Sequence, residues 1–416
     1  MRSTSPFRVL WGANALSNLA DGLVFVSLPL VAAGLTDDPR LVAGLATTYA
    51  LVRLVVALPV GVHVDRLDRR TLLVVANALR GVAVLGLAVS LHTGAGSLVV
   101  LYGVMAVVGV LESAADGAAV AVLPSFVPRG GLDRANARIA GTQLVADEFA
   151  GPPLGGSLFT VAAALPVLAT GGLWLGAAAV AMALPRRTAP MPMPTPTPAP
   201  AGETAAVPRP SILREAAVGV RWLARHRVVG ALALLGGLAS VGYMLPFSVL
   251  VLFARDRLGL DAGGYGLLLS ASALGGLVGT GIAAPLRARI GSRWTVAAAH
   301  ALGAASLAGL AVARDPLVAG VLLALYILHA VVWGVCATSL RQRLVPDPLL
   351  GRVGAAGRVL SLLGLALGSA LGGALATAGI AVPTAAGAVV FAGCAVLAVV
   401  ALRRSDEPVR AAGDAG

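Results

Sequence analysis

The chain has 416 residues, of which 58% are hydrophobic and only 12% are charged, and it contains 52 glycines. This composition is too apolar for a water-soluble globular protein and indicates a polytopic membrane protein. The net charge of +12 does not indicate a nucleic-acid partner, because the arginines collect in the links between apolar stretches, mostly on one side of the predicted membrane.

Apolar stretches of about 20 residues, long enough to cross a bilayer core of roughly 30 Å, recur along the whole chain. The first begins directly after Arg8 and is too long for a cleavable signal peptide, so we expect it to remain as a span. The predicted fold is an all-α membrane protein with twelve transmembrane helices. They lie near residues 9–34, 41–62, 71–92, 98–123, 139–164, 167–184, 228–254, 264–286, 294–313, 317–340, 359–382 and 384–402.

The arginines orient these spans. The chain has no lysine, and its 31 arginines divide into 25 on one side of the membrane, 4 on the other and 2 within spans. We call the two ends of the bundle the Arg-rich face and the Arg-poor face. The positive-inside rule makes the Arg-rich face cytoplasmic, with both termini on it. An alanine-rich chain without lysine is typical of a bacterial protein from a GC-rich genome, which predicts the bacterial inner membrane.

A proline-rich segment separates two sets of six spans. Residues 185–210 contain nine prolines, a composition that favours extended and solvated backbone. Residues 211–227 then place apolar side chains on one helical face and arginines on another, which predicts an amphipathic helix on the membrane surface. A plain extension of the seventh span is the alternative. The predicted units are helix bundles over 1–184 and 228–402, the linker and helix over 185–227, and a cytoplasmic tail over 403–416.

The two bundles resemble each other in sequence. Val127-Pro128, Leu132 and Arg134 follow the fourth span, and the same residues recur 218 positions later as Val345-Pro346, Leu350 and Arg352. Leu154-Gly155-Gly156 and Leu371-Gly372-Gly373 are similarly 217 positions apart. Two six-span repeats in parallel register are what a rocking transporter with a central site requires. Chance similarity of Gly/Leu-rich sequence is the alternative.

Ionisable residues within the spans are concentrated in the first bundle. The second bundle has only His300 and His329 in its spans. A charge at the bilayer centre costs roughly 2.5 to 3.5 kcal/mol, so each needs a function or a buried partner. The seven charged residues of the first bundle are Asp21, Arg53, Arg80, Glu112, Asp116, Asp147 and Glu148.

Most of these charges lie roughly 13 to 20 Å from the Arg-rich end of their helices, close to mid-membrane. We therefore predict proton coupling by Asp21, Glu112, Asp116 and Glu148. Arg53 and Arg80 are the predicted charge partners. The alternative is a set of static braces, in which Arg80 pairs with Glu112 or Asp116 and Arg53 pairs with Asp21.

Two motifs of the first bundle resemble those of the major facilitator superfamily. Residues 61–70, GVHVDRLDRR, are similar to its G-x-x-x-D-R-x-G-R-R signature, and residues 151–156, GPPLGG, are similar to the G-P-x-x-G-G element of its exporters. Residues 17–22, 132–138 and 213–227 add further similarity. Together they resemble the drug:proton antiporter branch that includes macrolide-efflux and enterobactin-exporter proteins. Departures from the pattern are His63, Asp68 and Asp147.

The resemblance implies roles for these motifs. The loop residues would form a gate near the Arg-rich face, in which Asp65 meets the positive end of the third helix and its arginines. Arginines that only satisfy topology are the alternative. The resemblance also favours Glu148 over Asp147 as the residue facing the cavity. The gating loop is Gly61, Asp65, Arg66, Arg69 and Arg70, and the antiporter motif is Gly151, Pro152, Gly155 and Gly156.

Aromatic residues of the second bundle offer a wall for an apolar ligand. Aromatic and thioether side chains provide soft apolar surface, although aromatics in a span more often face lipid or the core. An apolar wall opposite an acidic one suits amphipathic, weakly basic compounds. The predicted wall comprises Tyr243, Met244, Phe247, Tyr326 and Trp333.

The sequence thus predicts a proton-coupled exporter of amphipathic drugs or metabolites, working as a monomer among membrane lipids. An uptake symporter and a siderophore or metabolite exporter are alternatives. A membrane enzyme or sensor is the least favoured, because the chain has no H-E-x-x-H, G-x-S-x-G or nucleotide-binding loop motif. Cys336 and Cys394 are expected to be core residues, and no metal, cofactor or nucleic-acid partner is expected.

Overall fold

The computed structural model describes residues 6–66, 68–123, 126–127, 131–185 and 212–403, and these residues contain helices and connections but no strand. Side chains are described except at 57–66, 116, 117, 120, 121, 133 and 212–216. The helices of the first half are α1 (Pro6–Leu35), α2 (Pro39–Arg66), α3 (Arg69–His92), α4 (Leu98–Val122), α5 (Leu132–Gln143), a π-helical segment (Leu144–Ala150), α6 (Gly151–Val161) and α7 (Ala164–Ala181). Those that follow are α8 (Ile212–Arg225), α9 (Arg227–Phe247), α10 (Leu250–Asp256), α11 (Ala262–Val312), α12 (Pro316–Leu344), α13 (Asp347–Ala376) and α14 (Val382–Ala401).

Ten helical stretches in the described part of the chain are long and apolar enough to cross a membrane. Two features account for the difference from twelve. Helix α11 runs for 51 residues but contains Gly291 with φ 80° and ψ 166°, a backbone conformation that divides it into two rods. The fifth predicted span is divided into α5, the π-helical segment and α6, and each piece is shorter than a membrane crossing.

Two predicted spans are displaced along the chain. The span expected over 359–382 is α13, which begins at Asp347 and ends at Ala376. The first part of α13 carries Arg352 and Arg358, so a search for apolar stretches does not include it in the span. Pro348 near the start favours the beginning of a helix at that position. The span expected over 139–164 begins earlier, at Leu132, and ends at Val161, because Ala162 has extended backbone with φ −162°.

The predicted amphipathic helix is present as α8. It ends at Arg225, and His226 has extended backbone and accepts a hydrogen bond from the Val229 amide at 3.2 Å, which caps α9. The alternative of a continuous extension of the seventh span is therefore wrong. Most of the proline-rich linker and most of the tail, residues 186–211 and 404–416, lie outside the described residues, and the four-unit division stays a prediction.

The helices pack in two groups that meet along two seams. In the first group α1 and α3 pack on α7, and α4 packs on α2 and α3. In the second, α9 packs on α13 and α14, and α11 packs on α12 and α14. The seams are formed by α2 with α13 and by α6 with α11. Residues from both halves therefore face each other along these four helices.

Polar contacts join the halves in the part of the bundle nearer the Arg-poor face. Arg255 pairs with Asp37 at 3.1 Å, and Thr47 donates a hydrogen bond to Ser369 at 3.0 Å. By contrast, the apolar clusters at the Arg-rich end, among the residues described, do not mix the halves. One contains Leu10, Leu73, Val122 and Leu184, and the other contains Leu223, Val229, Val345 and Val353.

Candidate functional site

The first polar network of the N-terminal half joins α2 and α4. Arg53 Nη1 donates to Glu112 Oε1 at 2.9 Å, and the Tyr49 hydroxyl donates to the same oxygen at 2.5 Å. Arg53 also donates to the Tyr49 oxygen at 2.6 Å and lies over its ring. The side chains of Arg53 and Glu112 keep 16% and 21% of their surface exposed. The carboxylate is thus paired with a cation and is only partly enclosed by protein.

A second network joins α1 and α3. Arg80 Nη1 donates to Asp21 Oδ1 at 3.1 Å, while its Nη2 donates to Ser17 Oγ at 3.0 Å and to Asn77 Oδ1 at 2.6 Å. The guanidinium also lies over the ring of Trp174, 4.7 Å from its centroid. Only 2% of the Arg80 side chain is exposed, compared with 25% for Asp21. Hydrogen bonds to both terminal nitrogens and the aromatic face replace part of the hydration that this buried cation has lost, while its Nε has no partner among the described residues.

These contacts reverse the partners that the static alternative assigned. Arg53 lies beside Glu112, and Arg80 lies beside Asp21. Helix α2 packs on α4, so a charge at mid-depth in one helix meets a charge at mid-depth in the other. Asp116 lies one turn after Glu112 in α4, and its side chain is outside the described residues.

The antiporter motif follows a π-helical segment whose carbonyls are bonded by the other half. Pro152 and Pro153 have no N–H, so they cannot bond the carbonyls of the preceding turn. The Ser270 hydroxyl of α11 lies against two of these carbonyls, 3.1 Å from that of Phe149 and 3.4 Å from that of Glu148. A polar group that the prolines leave unbonded at membrane depth is thereby satisfied across the seam.

The glycines of the motif allow very close helix approach on two sides. A Cβ atom at Gly151 would lie 2.6 Å from Gly22 Cα in α1, so that side needs the absence of a side chain. On the other side, a Cβ atom at Gly156 would overlap the carbonyl oxygen of Ala262, and one at Gly266 would overlap that of Pro152. Gly155 lies against Leu23. The motif therefore packs α6 between α1 and the first rod of α11.

Glu148 lies at this seam rather than in either ion-pair network. It is exposed, and its Oε2 is 4.0 Å from the position of a Cβ atom at Gly276 in α11. It also lies within electrostatic range of Tyr243 in α9. Asp147 is less exposed, and its backbone packs against Gly22. Glu148 thus lies beside α11 of the C-terminal half, and its predicted position in a central cavity stays a prediction.

The gating loop is described only in part. Gly61, Asp65 and Arg66 belong to the last turns of α2, and their side chains lie outside the description. Arg69 begins α3, and Arg70 donates a hydrogen bond to the carbonyl of Met182 after α7.

The residue that caps α3 is Asp68, where the family signature has glycine. Asp68 accepts hydrogen bonds from the Thr71 amide at 3.1 Å and the Thr71 hydroxyl at 2.8 Å. Burial alone would raise the pKa of this carboxyl, but the bonds from Thr71 outweigh it and hold the pKa below its usual value. Asp68 is therefore the N-cap of α3, and the gating role expected of Asp65 stays a prediction.

The predicted wall is a stacked aromatic cluster. Tyr243 and Phe247 stack with ring centroids 4.5 Å apart, and Tyr326 lies about equally far from both, at 6.0 and 5.9 Å. Tyr326 is fully buried, so it supports the two half-buried rings and does not itself line a surface. Met244 is also half-buried and packs near Gly368.

Two buried histidines extend this cluster towards Trp333. The His300 ring lies 4.8 Å from Trp333 and 6.2 Å from His329, whose own ring is 4.7 Å from Tyr326. Neither ring nitrogen of His300 has a hydrogen-bond partner among the described residues. The C-terminal half therefore holds its two buried histidines among aromatic rings, with no ion pair to either among the described residues.

Sequence reasoning missed four residues that complete these sites. Tyr49 lies one helical turn before Arg53, a spacing that would have indicated it. Asn77 precedes Arg80 by three residues and is similarly detectable. Ser17 and Ser270 reach their partners only through tertiary packing, so their local sequence carries no such signal.

No group of three or more His, Cys, Asp or Glu side chains that could hold a metal ion occurs among the described residues. Cys336 and Cys394 are both buried and free, at 1% and 0% exposure. The expectation that they are core residues is confirmed by their burial.

Comparisons with known proteins agree with the sequence motifs. The family model of the Major Facilitator Superfamily matches residues 10–341. Proteins named Enterobactin exporter EntS, from Shigella boydii serotype 4 (strain Sb227) and from Escherichia coli O1:K1 / APEC, are each 27% identical over 383 residues, covering 90% of this chain and 86% of the relative.

Solved structures share the fold at low sequence identity. The nucleoside transporter NupG has a TM-score of 0.73 and 10% identity, over 97% of this chain and 99% of that chain. A bacterial homologue of the iron transporter ferroportin, in the inward-facing state, has a TM-score of 0.73 and 17% identity, over 97% of this chain and 100% of that chain. The two transporters therefore have the same helical architecture as this chain.

Proposed function

The chain belongs to the Major Facilitator Superfamily, and from that membership we propose that it is a proton-coupled exporter of amphipathic small molecules. The membership makes it a multi-pass membrane transporter rather than an enzyme. The observation that carries the proposal is the partly exposed carboxylate of Glu112, which is held by both Arg53 and Tyr49 near the predicted middle of the membrane. The proton coupling rests on this geometry.

The Glu112 network supports proton loading because its charge balance changes with a single proton. A proton on the carboxyl oxygen neutralises Glu112 and removes its ionic attraction for Arg53. The attraction that holds Arg53 of α2 to Glu112 of α4 is then weaker, which favours rearrangement of α2 against α4. When the proton leaves to water, the pair forms again. A cationic group of the cargo would compete with the proton for the same carboxylate, which makes exchange obligatory.

The Asp21 network has a second role in this proposal. Arg80 is buried and keeps four neighbours, so we assign it the structural charge that fixes Asp21 in place. Asp21 keeps 25% of its side-chain surface exposed and remains a proton carrier. Asp116, one turn from Glu112, is proposed as an additional carrier on the same helix.

Glu148 is proposed to report protonation to the C-terminal half. It lies beside Gly276 and within electrostatic range of Tyr243, so its charge is felt in both halves. The glycine-packed seam of α6 and α11 is the element that this charge would bias. Helices in such close contact have few intermediate arrangements, which favours switching between two states.

The proposed orientation has twelve spans, with both termini and the Arg-rich face in the cytoplasm of a bacterial inner membrane. Cross-half contacts near the Arg-poor face, such as Arg255 with Asp37 and Thr47 with Ser369, support a state open towards the cytoplasm. Arg66, Arg69 and Arg70, with Asp65, are proposed to close the Arg-rich face in the opposite state. Alternating access between these two states is the proposed transport cycle.

The cargo is proposed to contact Tyr243 and Phe247, whose half-buried stacked rings offer a flat apolar surface. Export of a metabolite is a second candidate, because relatives at 27% identity are named as enterobactin exporters. Uptake by a proton symporter uses the same carboxylates but moves the cargo in the opposite direction.

Everted vesicles from an efflux-deficient host test the proposal. Vesicles with an acidic lumen should accumulate ethidium, an amphipathic cation, and the lumen should lose protons as ethidium enters. An uncoupler should abolish both signals. Ethidium accumulation that persists with the uncoupler would refute proton coupling. Uptake by right-side-out vesicles in place of everted ones would refute export and favour the symporter.

A further inference from the structure

A small cavity opens on the N-terminal half at the Arg-rich face. It has a volume of about 240 Å³ and lies between the start of α1 and the start of α5. Its apolar part comes from two phenylalanines and small side chains, and its polar part comes from two arginines. The lining residues are Phe7, Phe126, Val127, Gly131, Arg134, Ala135 and Arg138.

The two arginines are available for an anion. Arg134 and Arg138 lie four residues apart on α5, so both project from the same face of that helix. Both are exposed, and neither has an ion pair or side-chain hydrogen bond among the described residues. Paired guanidinium groups suit a phosphate, whose oxygens accept several hydrogen bonds at once.

The internal repeat allows this cavity to be compared with the equivalent surface of the C-terminal half. The 218-residue offset maps Val127 to Val345, Ala135 to Val353 and Arg138 to Ala356. In the C-terminal half these three counterparts are buried together with Leu223, which comes from the amphipathic helix α8. The counterparts of Phe126 and Gly131, which are Leu344 and Leu349, pack against the same cluster.

Helix α8 therefore fills the C-terminal copy of the cavity. Leu223 is 8% exposed, and Trp222 packs beside it and stacks on His226. The contact with α13 is close, because a Cβ atom at Gly219 would overlap the carbonyl oxygen of Arg352. The same surface of the repeat thus takes an amphipathic helix in the C-terminal half. In the N-terminal half, among the described residues, Phe7 covers part of it and a cavity remains beside Phe7.

The differences between the two copies indicate the chemistry of the missing occupant. Arg138 stands where the filled copy has Ala356, and Ala135 stands where it has the larger Val353. The open copy therefore carries one more positive charge than the filled one at these positions. Its occupant must carry an anion as well as apolar groups.

We propose that this cavity binds an anionic phospholipid from the leaflet at the Arg-rich face. The phosphate lies between Arg134 and Arg138, and the first methylene groups of the acyl chains lie against Phe7 and Phe126. A cavity that opens at the end of membrane-spanning helices meets the headgroup layer, where anionic lipid is the most abundant amphipathic anion. The bound lipid takes the position that α8 holds in the other half.

Native mass spectrometry of the full-length protein with phosphatidylglycerol or phosphatidylcholine tests this. Each exposed arginine contributes about 1 kcal/mol to anionic-lipid binding, so Arg134→Ala with Arg138→Ala should weaken phosphatidylglycerol retention about 30-fold. Phosphatidylcholine retention should change little. Arg134→Lys with Arg138→Lys should restore most of the retention, because the charge remains.

A steric variant separates the cavity from general surface charge. Gly131 has φ −104° and ψ −6°, which other residues adopt, so Gly131→Leu introduces the leucine of the filled copy without backbone strain. It should reduce phosphatidylglycerol retention about 10-fold although both arginines remain. Arg287→Ala with Arg289→Ala removes the same charge from the predicted Arg-rich face of the C-terminal half and should reduce retention less than 3-fold.

Three results would overturn the proposal. The first is equal loss in the Arg287/Arg289 and Arg134/Arg138 double variants, which would mean diffuse attraction to the surface. The second is unchanged retention in Gly131→Leu. The third is phosphatidylglycerol binding that appears only after removal of residues 404–416, which include Asp406, Glu407 and Asp414, since the cavity would then belong to the acidic tail.

Discussion

In the N-terminal half the buried Arg80 is bonded to Asp21, Ser17 and Asn77, whereas in the C-terminal half the equally buried His300 lies among aromatic rings. The two halves repeat one helical arrangement, yet the first pairs Arg53 and Arg80 with carboxylates, whereas the second surrounds His300 and His329 with aromatic rings. The difference teaches that the fold sets the positions of the helices but does not determine which side chains are buried between them in each half. Proton coupling is accordingly assigned to one half and cargo contact to the other.

At one seam between the halves, backbone carbonyls of the N-terminal half obtain a hydrogen-bond donor from the C-terminal half. The π-helical segment before Gly151 has carbonyls that Pro152 and Pro153 cannot bond, and Ser270 of the C-terminal half lies within hydrogen-bond distance of them. Glu148 of the same segment lies beside Gly276 of α11. A change of charge at this seam is therefore felt on both sides.

Removal of Arg80 should have the largest effect on stability. It tests whether the N-terminal half depends on its buried ion pair. Arg80→Met leaves Asp21 partly buried without its cation, which should cost about 3 kcal/mol of the free energy of unfolding. The thermal unfolding midpoint in detergent measures this. Adding Asp21→Asn to Arg80→Met should recover part of the loss, because the unpaired charge is gone. A double variant as unstable as Arg80→Met would contradict the assignment of Asp21 as its partner.

A methyl group at the seam should have an intermediate effect. In Gly156→Ala the added Cβ overlaps the Ala262 carbonyl, so α6 and α11 must separate, at about 1–3 kcal/mol. Ethidium transport should fall with the unfolding midpoint. Gly172→Ala is the matched control, since no heavy atom lies within 4 Å of its added Cβ. Equal unfolding midpoints and equal ethidium transport in the two variants would contradict the need for close contact between α6 and α11.

Loss of the Ser270 hydroxyl should have the smallest effect. Interhelical hydrogen bonds in membranes contribute about 0.6 kcal/mol on average, so Ser270→Ala should lower stability by about that amount. Its effect on the transport rate should exceed that of Ser157→Ala, whose hydroxyl bonds only within α6 to Leu154. A larger loss of transport in Ser157→Ala would contradict the role given to the seam.

Much of the fold could be predicted from the sequence, because long apolar stretches and arginine-rich links are governed by the bilayer itself. Errors occurred where a helix extends beyond its apolar part. The first turns of α13 and the start of α5 at Leu132 are helical although they carry polar residues, and a search for apolar stretches does not detect such turns. The Gly291 break in α11 separates two spans that the sequence had also separated.

The sequence predicted which charged residues form the candidate site but not which cation pairs with which carboxylate. The cost of burying a charge picked out Asp21, Arg53, Arg80 and Glu112, and all four lie in ion pairs. Which cation meets which carboxylate depends on helix rotation and on the neighbours α2 with α4 and α1 with α3. Depth along each helix, the only coordinate that the sequence provided, does not contain that information.

Proton release by Glu112→Gln in proteoliposomes tests the central claim most directly. Addition of ethidium to proteoliposomes of the unaltered protein should release protons, which a pH-sensitive dye reports. Glutamine keeps the size and hydrogen-bonding capacity of Glu112 but cannot carry a proton, so the release should fall at least 10-fold while the unfolding midpoint shows that the protein is folded. Unchanged ethidium-driven proton release in Glu112→Gln would contradict the account.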